Sequence, residues 1–310
     1  MIPNSIAVVG APRSGTEIVA RVLAQAGGAE TVLTTEHRNK KHRPWEKLDV
    51  VDHQAWWETF AYPSWDSVAG RPWVEEPIDS AMSRAALRLH YQRLSGSKRL
   101  IVKNPNNTLR MPILRSVLDG VRFLGVTRDP WRIMESSLRG YLNSGKYSEH
   151  FLLKTTTMRA LPRDPLLLAA ETLRVTVAAF EKSDDLFIVR VEDLANPSVD
   201  LRNQLAEFTD LRSLRDAASW GLVNAPRPVG FLTLKEAIVR SSLRDEILDR
   251  VSQYATAFGY SDDWGTLPDA AEPLAGSPNR SSLLKRSTYL ARNPGLALGT
   301  VQRRIRRGRK

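Results

Sequence analysis

Residues 6 to 17 read I-A-V-V-G-A-P-R-S-G-T-E, a short apolar run that leads into a loop bounded by two glycines. In the pattern G-x-x-x-x-G-K-[ST], the lysine reaches the β- and γ-phosphates of a nucleotide and the next hydroxyl binds magnesium. Here Thr16 takes the place of that lysine, and Glu17 follows it. The stretch therefore predicts a strand, an anion-binding loop and a helix N-terminus, but it argues against ATP or GTP chemistry.

The loop carries a positive charge of its own in Arg13. A planar guanidinium can bind a cluster of phosphate or sulfate oxygens through parallel hydrogen bonds without a metal ion. A glycine-rich turn between a strand and a helix can also be purely structural. The loop by itself leaves both interpretations open.

A second junction between a strand and a helix lies at residues 123 to 138. The run from Phe123 to Thr127 predicts a buried strand, and Arg128 follows it at the kind of edge where doubly wound sheets bind ligands. Pro130 is compatible with the first turn of the next helix. Arg128 and Ser136 both lie near this junction, where they could bind a second phosphate.

These segments resemble the sulfotransferases that use 3'-phosphoadenosine 5'-phosphosulfate (PAPS). The family's 5'-phosphosulfate loop, P-[KR]-S-G-T, is similar to Pro12–Thr16, and its 3'-phosphate motif, an arginine followed eight residues later by a serine, is similar to Arg128 and Ser136. The stretch V-K-N-P at 102–105 resembles the K-x-P strand end of the glycan and tyrosylprotein sulfotransferases, and V-E-D-L at 191–194 resembles the family's Y-E-D-L turn.

The resemblance covers roughly residues 5 to 260 and implies a P-loop-type, three-layer αβα fold with a central parallel sheet. It also implies PAPS as the sulfuryl donor and adenosine 3',5'-bisphosphate as the product, with no metal. Glu17 departs from the threonine of most relatives, and an acid beside a bound anion must point away or pair with a base. The candidate contacts of the nucleotide are Pro12, Arg13, Ser14, Gly15, Thr16, Glu17, Arg128, Ser136 and Arg227.

The residue pattern agrees with that fold, because short apolar runs alternate with helical patterns and such an order favours a parallel sheet built from right-handed crossovers. Strands are predicted at residues 6–9, 30–33, 100–102, 123–126 and 187–191. Helices are predicted at residues 17–25, 80–94, 109–118, 131–142 and 166–180, and residues 201–260 are expected to be mostly helical.

The resemblance also suggests the catalytic groups. Lys103, together with Arg13, is the candidate for stabilising the leaving oxygen as its bond to sulfur breaks. Glu36 follows a short predicted strand, at a place where the glycan and tyrosylprotein enzymes carry a catalytic glutamate. The adjacent His37 is the alternative base, because an imidazole titrates closer to neutral pH than a carboxylate does. Neighbours on an extended segment point to opposite sides, so only one of the two is expected to face the acceptor, and Glu36 is preferred. The histidine that phenol-type relatives use is replaced by Pro105.

The composition describes a neutral body with a basic end. The chain has 310 residues and a formal net charge of +11, and residues 273 to 310 hold 10 of its 45 basic residues and no acidic residue. We expect a PAPS-binding domain over residues 1–265, followed by a linker and basic tail over 266–310. The tail could be a solvated extension, or it could contact an anionic membrane or an acidic partner.

Several classes of protein are disfavoured by the residues present. The chain has no cysteine, and its five histidines show no metal-ligand spacing, so a metal is not expected. The loop begins within ten residues of Met1 and leaves no room for a signal or anchor, so a soluble, cytoplasmic protein is expected. Two other functions account for less of the sequence. A small-molecule or nucleotide kinase would explain only the loop. A non-enzymatic protein that binds nucleic acid or membranes would explain only the basic tail.

The acceptor is not evident from the sequence. Aromatic residues are concentrated between residues 45 and 73, where they could stack on sugar rings or simply bury one another. A glycan, a glycolipid or a small hydroxylated metabolite fits, and carbohydrate-containing acceptors are preferred. The accepting group is expected to be a hydroxyl, with an amine as the less favoured alternative, and a nucleic-acid partner is not expected.

Overall fold

The structure is a computed structural model that describes residues 4–35, 50–52, 81–144, 164–221, 223 and 234–263. The chain divides into two compact units. The first holds the described residues up to Arg128 and those from Thr176 to Val223, and the second holds residues 129–144, 164–175 and 234–263. The predicted tail, 266–310, and the candidates Glu36, His37 and Arg227 lie outside the described residues.

A parallel sheet of six strands forms the first unit. The strands are β1 (Ile6–Val9), β2 (Thr31–Thr35), β3 (Val50–Asp52), β4 (Arg99–Lys103), β5 (Arg122–Thr127) and β6 (Leu186–Arg190). They are ordered β3-β2-β4-β1-β5-β6, and every neighbouring pair is parallel. All carboxyl ends therefore lie at one edge of the sheet. The predicted αβα class with a central parallel sheet is confirmed.

The central strands are continuous apolar runs because both of their faces are covered. All four residues of β1 are fully buried, and so are Leu100, Ile101 and Val102 of β4. An alternating pattern would instead mark a sheet with one face in water. Strand β6 lies at the edge, and its Ile188 is 44% exposed.

The helices of the described residues are α1 (Thr16–Gly27), α2 (Ala81–Ser95), α3 (Met111–Val117), α4 (Pro130–Ser144), α5 (Pro165–Glu181), α6 (Val191–Leu194), α7 (Val199–Thr209), α8 (Leu234–Val239) and α9 (Arg244–Phe258). Helix α1 buries Val19, Val22 and Leu23 in the same apolar cluster as the β1 side chains Ile6 and Val8. This packing fixes the helix against the strand that precedes it in the chain.

The second unit contains a buried ion-pair cluster. The side chain of Glu171 on α5 is 1% exposed, and its carboxylate accepts hydrogen bonds from Arg174 and from Arg250 of α9. Burial alone would raise the pKa of Glu171, but the hydrogen bonds from the two guanidinium groups outweigh burial and hold the pKa below its usual value. Arg250 also binds Glu246 at 2.8 Å.

None of the helices in the described part of the chain combines the length and apolarity needed to cross a bilayer. In the same part of the chain, no three His, Cys, Asp or Glu side chains come together as a possible metal site.

Candidate functional site

The glycine loop lies at the carboxyl edge of the sheet, between β1 and α1. A side chain on Gly10 would overlap the carbonyl oxygen of Val126. Gly15 has a φ of 97°, and a Cβ there would lie 2.8 Å from Cγ2 of Val191. Both positions therefore require glycine, the first because β5 is close and the second because α6 is close and the backbone is left-handed.

The loop backbone is strained at Arg13, which has a φ of 74°. A non-glycine residue in this region is uncommon and persists only where its surroundings hold it. The Arg13 carbonyl accepts a hydrogen bond from Nη1 of Arg128 at 3.2 Å, which ties the loop to the residue after β5. Ser14 N–H closes the turn onto the Ala11 carbonyl at 3.1 Å.

The start of α1 has no side-chain cap, because its N-cap residue is Gly15. The adjacent Ser14 is fully buried, and among the described residues its Oγ has no hydrogen-bond partner. Pro12 and Thr16 are also buried. A helix N-terminus with an unpaired hydroxyl beside it is suited to binding an anion, because the first N–H groups of a helix have no acceptor within the helix and a hydroxyl can donate to an anion.

Thr108 also holds the loop, through two hydrogen bonds to Gly10, and no sequence motif indicated this contact. Its Oγ1 accepts from Gly10 N–H at 2.8 Å and donates to the Gly10 carbonyl at 2.9 Å. Thr108 belongs to a 3₁₀ turn, Pro105–Leu109, that follows β4. Only the fold could reveal this contact, since the two residues are 98 positions apart.

Lys103 is the last residue of β4 and pairs in register with Val8 of β1. Its side chain is only 7% exposed, and its Nζ lies 3.4 Å from Oε2 of Glu17. Glu17 also binds Nη2 of Arg21, one helical turn further on, at 2.6 Å. The structure thus brings Lys103, Glu17 and the loop together at one place.

Arg128 and Ser136 are placed in different units. Arg128 follows β5 in the first unit, whereas Ser136 lies on α4 in the second. Asp129, between them, caps α4: its Oδ1 accepts from the backbone N–H groups of Trp131 at 2.8 Å and Arg132 at 3.1 Å. The aspartate of the R-D-P stretch therefore has a structural role at the helix start.

The V-E-D-L stretch forms the short helix α6 directly after β6. Its Val191 is the residue whose side chain approaches Gly15, so this turn supports the second half of the loop. The predicted bases, Glu36 and His37, and the nucleotide candidate Arg227 stay predictions, because they lie outside the described residues.

A sequence model of the sulfotransferase family matches residues 3–216, which is more than half of the chain. The chain belongs to the sulfotransferase family. The predicted membership is thereby confirmed, and the enzyme is a transferase that moves a sulfuryl group. The match includes the loop, Lys103, Arg128 and the V-E-D-L turn.

Similar solved structures include the sulfotransferase domain of the Synechococcus PCC 7002 olefin synthase, at 15% identity with a TM-score of 0.42 over 84% of this chain and 96% of that one. A second is the sulfotransferase domain from the curacin biosynthetic pathway, at 13% identity with a TM-score of 0.42 over 84% and 99%. Sulfotransferase STF9 from Mycobacterium avium has 12% identity and a TM-score of 0.48 over 84% and 78%. A comparison with curated protein sequences found no match.

Proposed function

We propose that this sulfotransferase uses PAPS as its donor and transfers the sulfuryl group to a hydroxyl of its acceptor. The observation that carries the proposal is the loop, which keeps an anion-binding helix start while Thr16 stands in the position of the nucleoside triphosphatase lysine. Such a site favours a phosphosulfate over a magnesium-bound triphosphate.

The proposed donor would be bound at two places. The loop from Pro12 to Thr16, with its unpaired Ser14 hydroxyl, would bind the 5'-phosphosulfate. Arg128 and Ser136 would bind the 3'-phosphate, and Arg227 is a further candidate. Arg128 already fixes the loop through the Arg13 carbonyl, so occupation of one place would stabilise the other.

The donor supplies a sulfuryl group whose bond to the bridging oxygen breaks as the acceptor oxygen bonds to sulfur. Lys103 would stabilise the charge that develops on the bridging oxygen, and Arg13 would neutralise the sulfuryl oxygens. Glu36, or in its place His37, would take the proton of the acceptor hydroxyl. The burial of Lys103 favours this role, because a charge in a partly dehydrated site acts more strongly than one in water.

The acceptor class and the cellular location are part of the proposal. We propose a carbohydrate-containing molecule, a lipid or a small metabolite as acceptor, a cytoplasmic enzyme, and a basic tail over residues 266–310 that contacts anionic membrane surfaces.

The test is transfer itself. Purified protein is incubated with PAPS and a metabolite extract, and mass spectrometry follows adenosine 3',5'-bisphosphate and new sulfated products. We expect both to form, and to be lost together in Lys103→Ala, because that variant lacks the ammonium group that stabilises the charge on the leaving oxygen. The proposal would be contradicted if incubation with PAPS gave neither the bisphosphate nor a sulfated product while incubation with magnesium ATP gave phosphorylated products.

A further inference from the structure

Glu17 places a negative charge at the mouth of a site that the proposed function assigns to an anion. It lies in the first turn of α1, directly after the loop. Its carboxylate is 44% exposed and contacts two cations, Arg21 at 2.6 Å and Lys103 at 3.4 Å. An acid in this position repels the anion that the helix start attracts.

The ion pair between Glu17 and Lys103 explains why an acid lies beside the loop. An ammonium group has three donors and no acceptor, and a side chain exposed by only 7% has little water to bind. Glu17 gives this ammonium a partner at the loop. A donor nucleotide that enters the site offers Lys103 a competing oxygen, so carboxylate and nucleotide compete for the same cation.

The competition is strongest after the reaction. When the bond between sulfur and the bridging oxygen has broken, that oxygen remains on the 5'-phosphate with additional negative charge. Lys103 would then hold the product more tightly than the donor, because the attraction between opposite charges grows with the charge on the oxygen. A carboxylate that reclaims the ammonium lowers the barrier to product release.

We propose that Glu17 is a positioning residue that holds Lys103 at the loop of the ligand-free enzyme and competes with the bound nucleotide for it, so that Glu17 weakens nucleotide binding and speeds product release. The inference rests on the proposed function. It makes Glu17 a determinant of nucleotide affinity through Lys103, while Glu17 itself need not touch the nucleotide.

The first test is binding of adenosine 3',5'-bisphosphate by calorimetry, with its dissociation rate measured by stopped flow. Glu17→Gln is expected to bind about 3- to 10-fold more tightly than wild type, with most of the gain in slower dissociation. Glu17→Thr, a shorter neutral side chain, is expected to change affinity in the same direction, and melting curves report whether each variant is folded.

The matched control lies at the opposite end of the same strand. Arg99 begins β4, and its Nη2 binds the 62% exposed Asp210 at 3.1 Å. Asp210→Asn removes one negative charge from a similar ion pair, and asparagine tolerates the left-handed backbone at this residue, where φ is 55°. This variant is expected to bind the bisphosphate within twofold of wild type.

A double-mutant cycle identifies the route. In a Lys103→Met background, Glu17→Gln is expected to change affinity by less than twofold, because the shared cation is gone. A gain of equal size in the Lys103→Met background would show that Glu17 does not act through Lys103. In the otherwise wild-type protein, an unchanged or weaker affinity of Glu17→Gln would overturn the inference while the proposed function stands. If wild type itself failed to bind the bisphosphate, the proposed function would be wrong.

Discussion

Replacing Thr108 by valine tests whether the 3₁₀ turn after β4 holds the loop in its binding conformation. Valine has nearly the same shape, but it loses the two hydrogen bonds to the backbone of Gly10, at 2.8 and 2.9 Å. The Gly10 N–H would be left buried without an acceptor, at a cost of about 1 to 3 kcal/mol, and the lost bond to the carbonyl adds about 0.5 to 1.5 kcal/mol. We expect the free energy of unfolding to fall by about 1.5 to 4.5 kcal/mol.

The assay is urea unfolding, followed by calorimetry with adenosine 3',5'-bisphosphate on the folded variant. Because the loop loses an anchor, we also expect binding to weaken by about tenfold, which is 1.4 kcal/mol. Thr209→Val is the matched control, since Thr209 is equally buried but its hydroxyl only donates to the Leu205 carbonyl within α7. Thr209→Val should lower the free energy of unfolding by less than about 1 kcal/mol and leave the affinity for the bisphosphate unchanged. Equal stability and affinity of Thr108→Val and wild type would refute the reasoning.

Three further predictions concern other parts of the molecule. Gly15→Ala should lower stability by about 1 to 3 kcal/mol because its Cβ meets Val191 at a left-handed backbone position, and adding Val191→Ala should restore part of the loss in urea unfolding if the clash is its cause. Arg128→Ala should weaken bisphosphate binding by about 1.5 to 3 kcal/mol in calorimetry, and no change would remove Arg128 from the site. The pKa of Glu171 is lower in the folded protein than in the unfolded chain, so the stability that its ionised carboxylate contributes is present above the unfolded pKa and is lost as pH falls through the folded pKa. The difference in free energy of unfolding between wild type and Glu171→Gln, measured by urea unfolding, should therefore shrink as pH falls from 7 to 3. A constant difference would contradict this role.

The strands and helices of the sheet domain were largely predictable because their signals are local. The buried runs at residues 6–9, 100–102 and 123–126 match β1, β4 and β5 to within one residue at each end. The strand predicted at 30–33 instead spans Thr31–Thr35, because Glu30 belongs to the 3₁₀ turn that follows α1. The helix predicted at 109–118 begins only at Met111, after the 3₁₀ turn Pro105–Leu109.

Features that depend on contacts between distant residues were not predictable. Strand β3, Val50–Asp52, has three residues and no period of its own, and it exists because β2 offers an edge. The loop residues were predicted from spacing and resemblance. The anchor at Thr108 and the pairing of Glu17 with Lys103 join residues 98 and 86 positions apart, and no local pattern reports them.

The central claim is that the loop around Ser14 binds a phosphosulfate nucleotide, and ligand preference tests it most directly. Calorimetry compares adenosine 3',5'-bisphosphate without magnesium against ATP with and without magnesium, on the same wild-type protein. Because Thr16 stands where a triphosphatase lysine would be, the bisphosphate is expected to bind without magnesium and more tightly than ATP. Tight, magnesium-dependent binding of ATP with no binding of the bisphosphate would contradict the assignment.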